Sequence, residues 1–223
     1  MRVRLLRPAR QETYEKIFDT VYVGLMTNLL MTVACAPVLA ALALVRDPLA
    51  SWPFFAVLSA VCAPALAGAF RCFALLGEGS TAVFSAFWRG YRRAAVRAVA
   101  AWLAGAAGVS VLALDAVIVA GTSWGPALVP FFVTAAALVA GVTVAVLIVV
   151  AETSRRVREL VRPCLYLVAR RWYLTVPALA VLALAVAVVL LKPLPGLLLA
   201  LSPLLYVAWA TIRYAVLPLV TEN

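Results

Sequence analysis

The chain has 223 residues, 66% of them hydrophobic, and a mean hydropathy of +1.08, which excludes a soluble globular domain and requires lipid as the solvent. The net charge of +10 does not indicate a nucleic-acid-binding protein, since the basic residues lie in short segments between apolar stretches. There is no histidine, which argues against a metal site and a serine–histidine hydrolase. We expect no cofactor.

Six apolar stretches are long enough to cross a hydrocarbon core of about 30 Å at about 1.5 Å per residue. They cover residues 18–45, 52–76, 98–120, 126–151, 174–191 and 197–220. Proline and glycine mark the short reversals between them, which favour antiparallel neighbouring helices. The sequence therefore predicts an all-α polytopic membrane helical bundle that forms a single domain over residues 1–223.

The basic residues orient this bundle, because fifteen of the 19 fall on one side of the six-span arrangement. Cytoplasmic loops are enriched in Lys and Arg, so both termini are predicted to be cytoplasmic and to meet anionic lipid headgroups. The excess of Arg over Lys, with abundant Ala and Val, indicates a high-GC bacterial genome. The expected location is therefore the bacterial cytoplasmic (inner) membrane. The fifteen lie in a tail (residues 1–17), a first connector (78–97) and a second connector (152–173): Arg2, Arg4, Arg7, Arg10, Lys16; Arg89, Arg92, Arg93, Arg97; Arg155, Arg156, Arg158, Arg162, Arg170, Arg171.

Both connectors read as amphipathic helices, because apolar residues recur at helical spacing with arginines off that stripe. In the first connector the stripe is Val83, Phe84, Phe87, Trp88 and Tyr91, with Arg89, Arg92 and Arg93 beside it. In the second it is Val157, Leu160, Val161, Cys164, Leu165 and Val168. Such helices are typical of the headgroup plane. The second interpretation is that the aromatic stripe and its arginines dock onto a cytoplasmic partner.

An offset of 78 residues superposes the two connectors. It places Val83 on Val161, Phe87 on Leu165 and Trp88 on Tyr166. A parallel repeat of span, amphipathic helix and span would explain this match, and such repeats occur in some transporters. Any two basic connectors would give a similar match, so both explanations remain open.

Polar residues within spans are candidate ligand or coupling residues, since charge is costly in hydrocarbon. Arg71 and Arg213 lie inside spans two and six, and each can extend toward the cytoplasmic surface. The alternative is an interior ion pair with Asp19 or Glu152, which otherwise lie at hydrated span ends. Asn28, near the middle of span one, is predicted to hydrogen-bond another helix.

Asp115, toward the outer end of span three, is the best candidate for a binding or coupling carboxylate. Arg46 and Lys192 lie on the same outer side of the membrane and are the expected counter-ions of the Asp115 carboxylate.

Small residues are predicted to let helices pack closely. Span three places Ala101, Ala104, Gly105 and Gly108 on one face. The four cysteines show no paired spacing and are interpreted as small apolar residues rather than disulfides or ligands: Cys35, Cys62, Cys72 and Cys164.

Two short motifs resemble the YesL-like family, small bacterial integral membrane proteins of uncharacterised function. They are Asn28-Leu-Leu followed by Cys35-Ala-Pro37, and Phe87-Trp-Arg-Gly-Tyr-Arg-Arg-Ala94 leading into a span. The chain departs from the family by extra sequence after Pro37, and the family's Pro-x-x-Thr-x-Gly element is displaced to Pro64-Ala-Leu-Ala-Gly68. The resemblance implies an accessory role beside ABC-type carbohydrate importers and supplies no catalytic or ligand residues.

Together these patterns predict a non-enzymatic accessory or scaffold protein of a larger membrane complex, with ABC-transporter subunits as the expected partner. The alternative is a small-solute or lipid transporter whose cavity lies between the repeats and uses Asp115 and Arg71. An intramembrane enzyme ranks third, because no two carboxylates form a recognisable acid–base pair. Homo-oligomer formation is left open by the sequence.

Overall fold

The computed structural model describes residues 8–45, 51–191 and 196–221, and the described part is helical almost throughout. Its α-helices, numbered here in chain order, are α1 Pro8–Ala34, α2 Ala36–Leu44, α3 Trp52–Leu58, α4 Cys62–Gly77, α5 Val83–Ala120, α6 Gly125–Glu152, α7 Val157–Arg170, α8 Trp172–Leu191 and α9 Leu201–Thr221. A 3₁₀ turn, Ser59–Val61, joins α3 to α4, and a π-helical turn, Gly196–Ala200, precedes α9.

Six segments of the described chain are long and apolar enough to cross a membrane, as the sequence predicts. They are Ile17–Ala34, Trp52–Gly77, Val83–Ala120, Gly125–Glu152, Trp172–Leu191 and Gly196–Val220. The all-α, six-span fold is therefore confirmed, and the chain is a multi-pass membrane protein.

The first span is broken near its middle, where the sequence predicted one stretch over residues 18–45. Helix α1 ends at Ala34 and α2 begins at Ala36, with Pro37 in its first turn. Proline lacks a backbone N–H and its ring clashes with the preceding turn, so it favours the start of a helix over its interior. Pro37 therefore favours a break at this point of the span, although the structure keeps other prolines, such as Pro130 and Pro177, inside helices.

Helices α4 and α5 reverse direction through a tight turn. Ser80 N–H donates to the Leu75 carbonyl at 3.0 Å, and Gly79 adopts a φ of 77°. This left-handed conformation ends helices and favours glycine, which has no Cβ to clash. The turn makes α4 and α5 antiparallel neighbours.

The first connector does not form a helix of its own. Helix α5 is continuous over 38 residues, from Val83 in the connector to Ala120 at the end of span three. No proline or helix-ending glycine interrupts the sequence between connector and span, so nothing stops the helix at residue 97. The aromatic stripe is thus the first part of a long span helix, which differs from the predicted separate connector.

The second connector does form a helix, α7, and it packs along α6. A Cβ built on Gly141 of α6 would lie 3.3 Å from Val168 Cγ1 and 2.7 Å from Thr175 Cγ2. Gly141 is about 16 Å along α6 from Glu152, at about 1.5 Å per residue. Since α7 begins near the end of α6 and finishes at Gly141, it is inclined along the bundle rather than laid flat across its end.

The small face of span three packs closely on α6, as predicted. A Cβ built on Gly105 would collide with the Thr143 side chain, and one on Gly108 would lie 3.2 Å from Val139 Cγ1. Glycine at these positions lets the two helix backbones approach each other.

Candidate anion-binding site

A pair of glycines sets the position of Arg71 against α5. A Cβ built on Gly68 would lie 3.0 Å from the Phe87 carbonyl oxygen, and one on Gly90 would lie 3.3 Å from Gly68 Cα. Helices α4 and α5 therefore cross with their backbones close together. The Cβ built on Gly90 would also lie 3.1 Å from Arg71 Cβ, so the crossing places the aliphatic part of the Arg71 side chain directly over Gly90.

The crossing opens onto a cavity of about 280 Å³ between α4, α5 and the end of α6, named here the arginine pocket. Arg71 comes from α4, Arg89 and Arg93 from α5, and Glu152 with Thr153 from the end of α6. Residues 89 and 93 are one helical turn apart, so their side chains leave α5 on the same face. Three guanidinium groups thus border one small cavity.

Among the described residues that line the pocket, the one carboxylate is already paired. Glu152 accepts two hydrogen bonds from Arg213 of α9, Nε to Oε1 at 2.8 Å and Nη2 to Oε2 at 3.0 Å, and its side chain is only 5% exposed. The Arg213 guanidinium also lies 5.2 Å from the centre of the Trp209 ring. A two-point ion pair of this kind fixes both side chains. Glu152 is therefore committed to Arg213 rather than to the pocket arginines.

Other arginines of α5 join it to the end of α6. Arg97 Nη1 donates to the Thr153 carbonyl at 3.0 Å and to the Arg155 carbonyl at 3.1 Å, and Arg93 donates to Ser154 Oγ at 2.6 Å. Arg89 donates to the backbone carbonyl and the hydroxyl of Ser85. These bonds occupy the acceptors at the rim and hold the positive side chains in place.

Arg71 is the exception, because none of the described residues offers its guanidinium a hydrogen bond or an ion pair. The residue is partly buried, and its Cβ and Cγ atoms pack over Gly90. Guanidinium groups bind planar oxyanions through parallel N–H donors. Chemically, the arginine pocket can bind a phosphate or carboxylate group; it offers no free carboxylate that could act as a general base.

Asn28 has a structural position away from this pocket. Its Nδ2 donates to the Leu198 carbonyl at 2.9 Å, and its Oδ1 accepts from Ser202 N–H at 2.7 Å. These backbone groups belong to the π-helical turn and the start of α9, where the irregular helix leaves them without regular partners. The predicted interhelical hydrogen bond is confirmed, and both Nδ2 and Oδ1 of Asn28 take part in such bonds.

Asp115 lies far from Arg71, so the two do not share a cavity as the transporter alternative required. Residues 90 and 115 belong to one continuous helix and are about 37 Å apart at about 1.5 Å per residue. Because Arg71 contacts Gly90, Asp115 is at the opposite end of α5. Arg46 and Lys192, its expected counter-ions, lie outside the described residues.

The aromatic docking candidates are mostly buried within the bundle. Phe87 is 0% exposed and packs on Gly68, while Trp88 and Tyr91 are partly buried beside it. Only Phe84 of this stripe is well exposed. The arginines differ: Arg89, Arg92 and Arg93 all remain exposed. Phe87 is thus not available to a partner in this structure.

The sequence offered the ion pair beside the pocket only as an alternative. It favoured a hydrated Glu152 and an Arg213 that extends to the membrane surface, with an interior pair as the second possibility. The structure contains the interior pair, Arg213 with Glu152. Gly68 and Gly90 carried the signal for the crossing, since glycines inside two adjacent predicted helices indicate close approach.

No protein-family model matches the chain, and no curated protein or solved structure is significantly similar to it. The resemblance to the YesL-like family therefore stays a prediction.

Proposed function

We propose that this chain is a non-enzymatic integral membrane protein that binds an oxyanion, a phosphate or carboxylate group of its ligand, in the arginine pocket. The observation that carries the proposal is the state of Arg71, a partly buried arginine that lines the pocket without a partner among the described residues, beside a carboxylate that Arg213 already holds. An arginine inside a membrane span needs a counter-ion or contact with water, and a bound anion would supply the counter-ion.

The surroundings of the pocket favour binding over chemistry. Glu152, which supplies the only carboxylate among the described residues that line the pocket, is engaged by two hydrogen bonds from Arg213, so it is a poor general base. The three guanidinium groups supply positive charge and donors but no nucleophile. This supports a site that holds an anionic group rather than one that transforms it.

The accessory role in carbohydrate import, implied by the family resemblance, fits a ligand-binding membrane protein but has no support of its own in the geometry. The burial of Phe87 weakens the specific idea that the aromatic stripe contacts an importer subunit. The transporter alternative loses its paired site, because Asp115 and Arg71 are at opposite ends of α5.

The test is thermal unfolding of the purified full chain in mild detergent, with inorganic phosphate and with short-chain phosphatidylglycerol as separate probes. A ligand at a hundred times its Kd stabilises the folded state by about 2.7 kcal/mol, which raises the midpoint by several degrees. We expect at least one probe to do this. Phosphate alone would identify a free solute as the source of the anion, and phosphatidylglycerol alone a lipid headgroup.

The variants are Arg71→Gln in the pocket and Arg158→Gln, an exposed arginine of α7 that does not line it. The stabilisation should be lost in Arg71→Gln and kept in Arg158→Gln. If Arg71→Gln lowers the ligand-free midpoint, Arg71→Lys supplies a charged variant without the two-point geometry, and its response should be intermediate. Stabilisation by neither probe, or equal responses of Arg71→Gln and Arg158→Gln, would overturn the proposal.

A further inference from the structure

A second concave surface lies between α1 and the first part of α5, and is named here the α1–α5 groove. It is an open depression of about 750 Å³ whose walls are apolar: Leu29 and Val33 from α1, and Phe84 and Trp88 from α5. Arg89 and Arg92 are its charged members. The groove thus combines a long apolar surface with two positive charges.

The apolar walls face outward from the bundle. Leu29 is 49% exposed and Val33 is 57% exposed, and both belong to the membrane-crossing segment Ile17–Ala34. An exposed apolar side chain on a membrane span contacts lipid hydrocarbon. The surface that these residues share with Arg92 is therefore a lipid-facing surface.

Arg92 has an unusual position on that surface. It is exposed, and the described part of the chain provides it with no hydrogen bond or ion pair. Arginine next to hydrocarbon needs a counter-ion or access to headgroups, because its charge is otherwise poorly solvated. The anion most available at such a surface is a lipid phosphate.

We propose that the α1–α5 groove binds one anionic phospholipid, with an acyl chain along Leu29, Val33, Phe84 and Trp88 and the headgroup phosphate at Arg92 and Arg89. The apolar walls match the chain, and the guanidinium groups match the phosphate. Aromatic rings such as those of Phe84 and Trp88 suit the boundary between chain and headgroup.

This site is separate from the arginine pocket. Helical residues 92 and 93 project about 100° apart, and the structure places Arg92 in the groove and Arg93 in the pocket. Arg89 borders both, while Arg71 borders only the pocket. The groove proposal therefore does not rest on the proposed function, and Arg92 and Arg71 test the two sites independently.

The experiment is native mass spectrometry of the full chain in mild detergent, titrated with phosphatidylglycerol or phosphatidylcholine. We expect one phosphatidylglycerol to bind more than about tenfold more tightly than phosphatidylcholine, as two arginines near the phosphate should provide. Arg92→Gln should weaken phosphatidylglycerol binding about fivefold. Leu29→Trp should also weaken it by filling the groove, while Arg158→Gln, at an exposed position that lines neither site, should leave it unchanged.

Three results would overturn the groove site. Equal affinity for the two lipids would show that the arginines do not select the headgroup. Equal losses in Arg92→Gln and Arg158→Gln would indicate diffuse attraction to positive charge. A larger loss in Arg71→Gln than in Arg92→Gln would place the lipid in the arginine pocket instead. Because Leu29 is an exposed position, Leu29→Trp is expected to fold and keeps the acyl-chain half of the proposal testable.

Discussion

Two basic segments of the chain carry apolar residues and arginines at the same helical spacing but lie in different surroundings. The first is residues 83–97 at the start of α5, and the second is residues 157–171, which comprise α7 and the residue after it. Phe87 of the first segment is 0% exposed, whereas Leu165, its counterpart at an offset of 78 residues, is 42% exposed. Val83 and Val161 differ in the same way. Equal sequence patterns have here produced unequal burial.

The two segments do agree along one line. Ala86 and Cys164 are both buried, as are Gly90 and Val168, and each pair is related by the same offset. This line faces a neighbouring helix in both segments. The segments differ in burial only at the positions beside this line. Helix α4 covers those positions in the first segment, and they are exposed in the second.

The match between the two segments thus extends to one packing line and no further. Residues 83–97 pack on α4 through the Gly68 and Gly90 crossing, and such close approach buries a wide strip of helix surface. Helix α7 packs mainly on α6 and keeps Tyr166 exposed beside its arginines. A helical period in a sequence identifies a face but not the number of neighbours that cover it.

The two segments should differ most in the free energy of unfolding that is lost when an apolar side chain is truncated at matched positions. Phe87→Ala should lower the free energy of unfolding by about 3–5 kcal/mol, because it leaves a cavity between α4 and α5. Leu165→Ala should cost less than about 1 kcal/mol, since its side chain is partly exposed. Reversible denaturation with sodium dodecyl sulfate in mixed micelles measures both.

Equal losses in these two variants would remove the distinction between the segments. They would show that α7 is covered in the membrane by lipid or by another chain as tightly as α5 is covered by α4.

Much of the fold follows from the sequence because lipid imposes simple rules. A span must be long, apolar and helical, so six spans were predicted with ends within a few residues for most of them. The break at Cys35 and the continuous α5 are the departures. Both concern the point at which a helix is interrupted. Pro37 promotes an interruption in the first span, whereas no residue between the first connector and span three promotes one in α5.

The candidate site was predictable only in its parts. Arg71, Arg213 and Asn28 stood out because polar residues are rare inside spans. Their partners were predictable only in part, because sequence distance does not fix which helices are adjacent. Glu152 was one of two carboxylates proposed for an interior ion pair with Arg213, from which it is separated by 61 residues. The partner of Asn28, Leu198, lies 170 residues away and did not stand out.

A smaller difference should separate the arginines of the two segments. Arg97→Gln removes two bonds to the carbonyls of Thr153 and Arg155 and should lower the free energy of unfolding by about 1–3 kcal/mol. Arg158→Gln, at an exposed position of α7, should stay within about 0.5 kcal/mol of the wild type. The same denaturation assay applies. A loss in Arg158→Gln as large as that in Arg97→Gln would mean that α7 is held by its charges as firmly as α5.

The last prediction concerns the reactivity of a cysteine on the buried line of α7 and involves no change in stability. Cys164 is 0% exposed, and burial raises the pKa of its thiol to about 12. The thiolate is the reactive form, so at pH 8 the folded chain should be alkylated at Cys164 about three orders of magnitude more slowly than an ordinary exposed thiol with a pKa of about 8.5. Peptide mass spectrometry after timed exposure to N-ethylmaleimide measures the rate at this residue.

The matched control is Tyr166→Cys, two residues further along α7 and on its exposed side. Because a helix turns by about 100° per residue, a thiol at position 166 points away from the buried line. It should react quickly in the folded chain, while Cys164 should react at that rate only after denaturation. Fast labelling of Cys164 in the folded protein would mean that α7 separates from α6 on the time scale of the reaction. The two basic segments would then differ in mobility as well as in burial, since the first is fixed to α4 and α6 by the Phe87 packing and the Arg97 bonds.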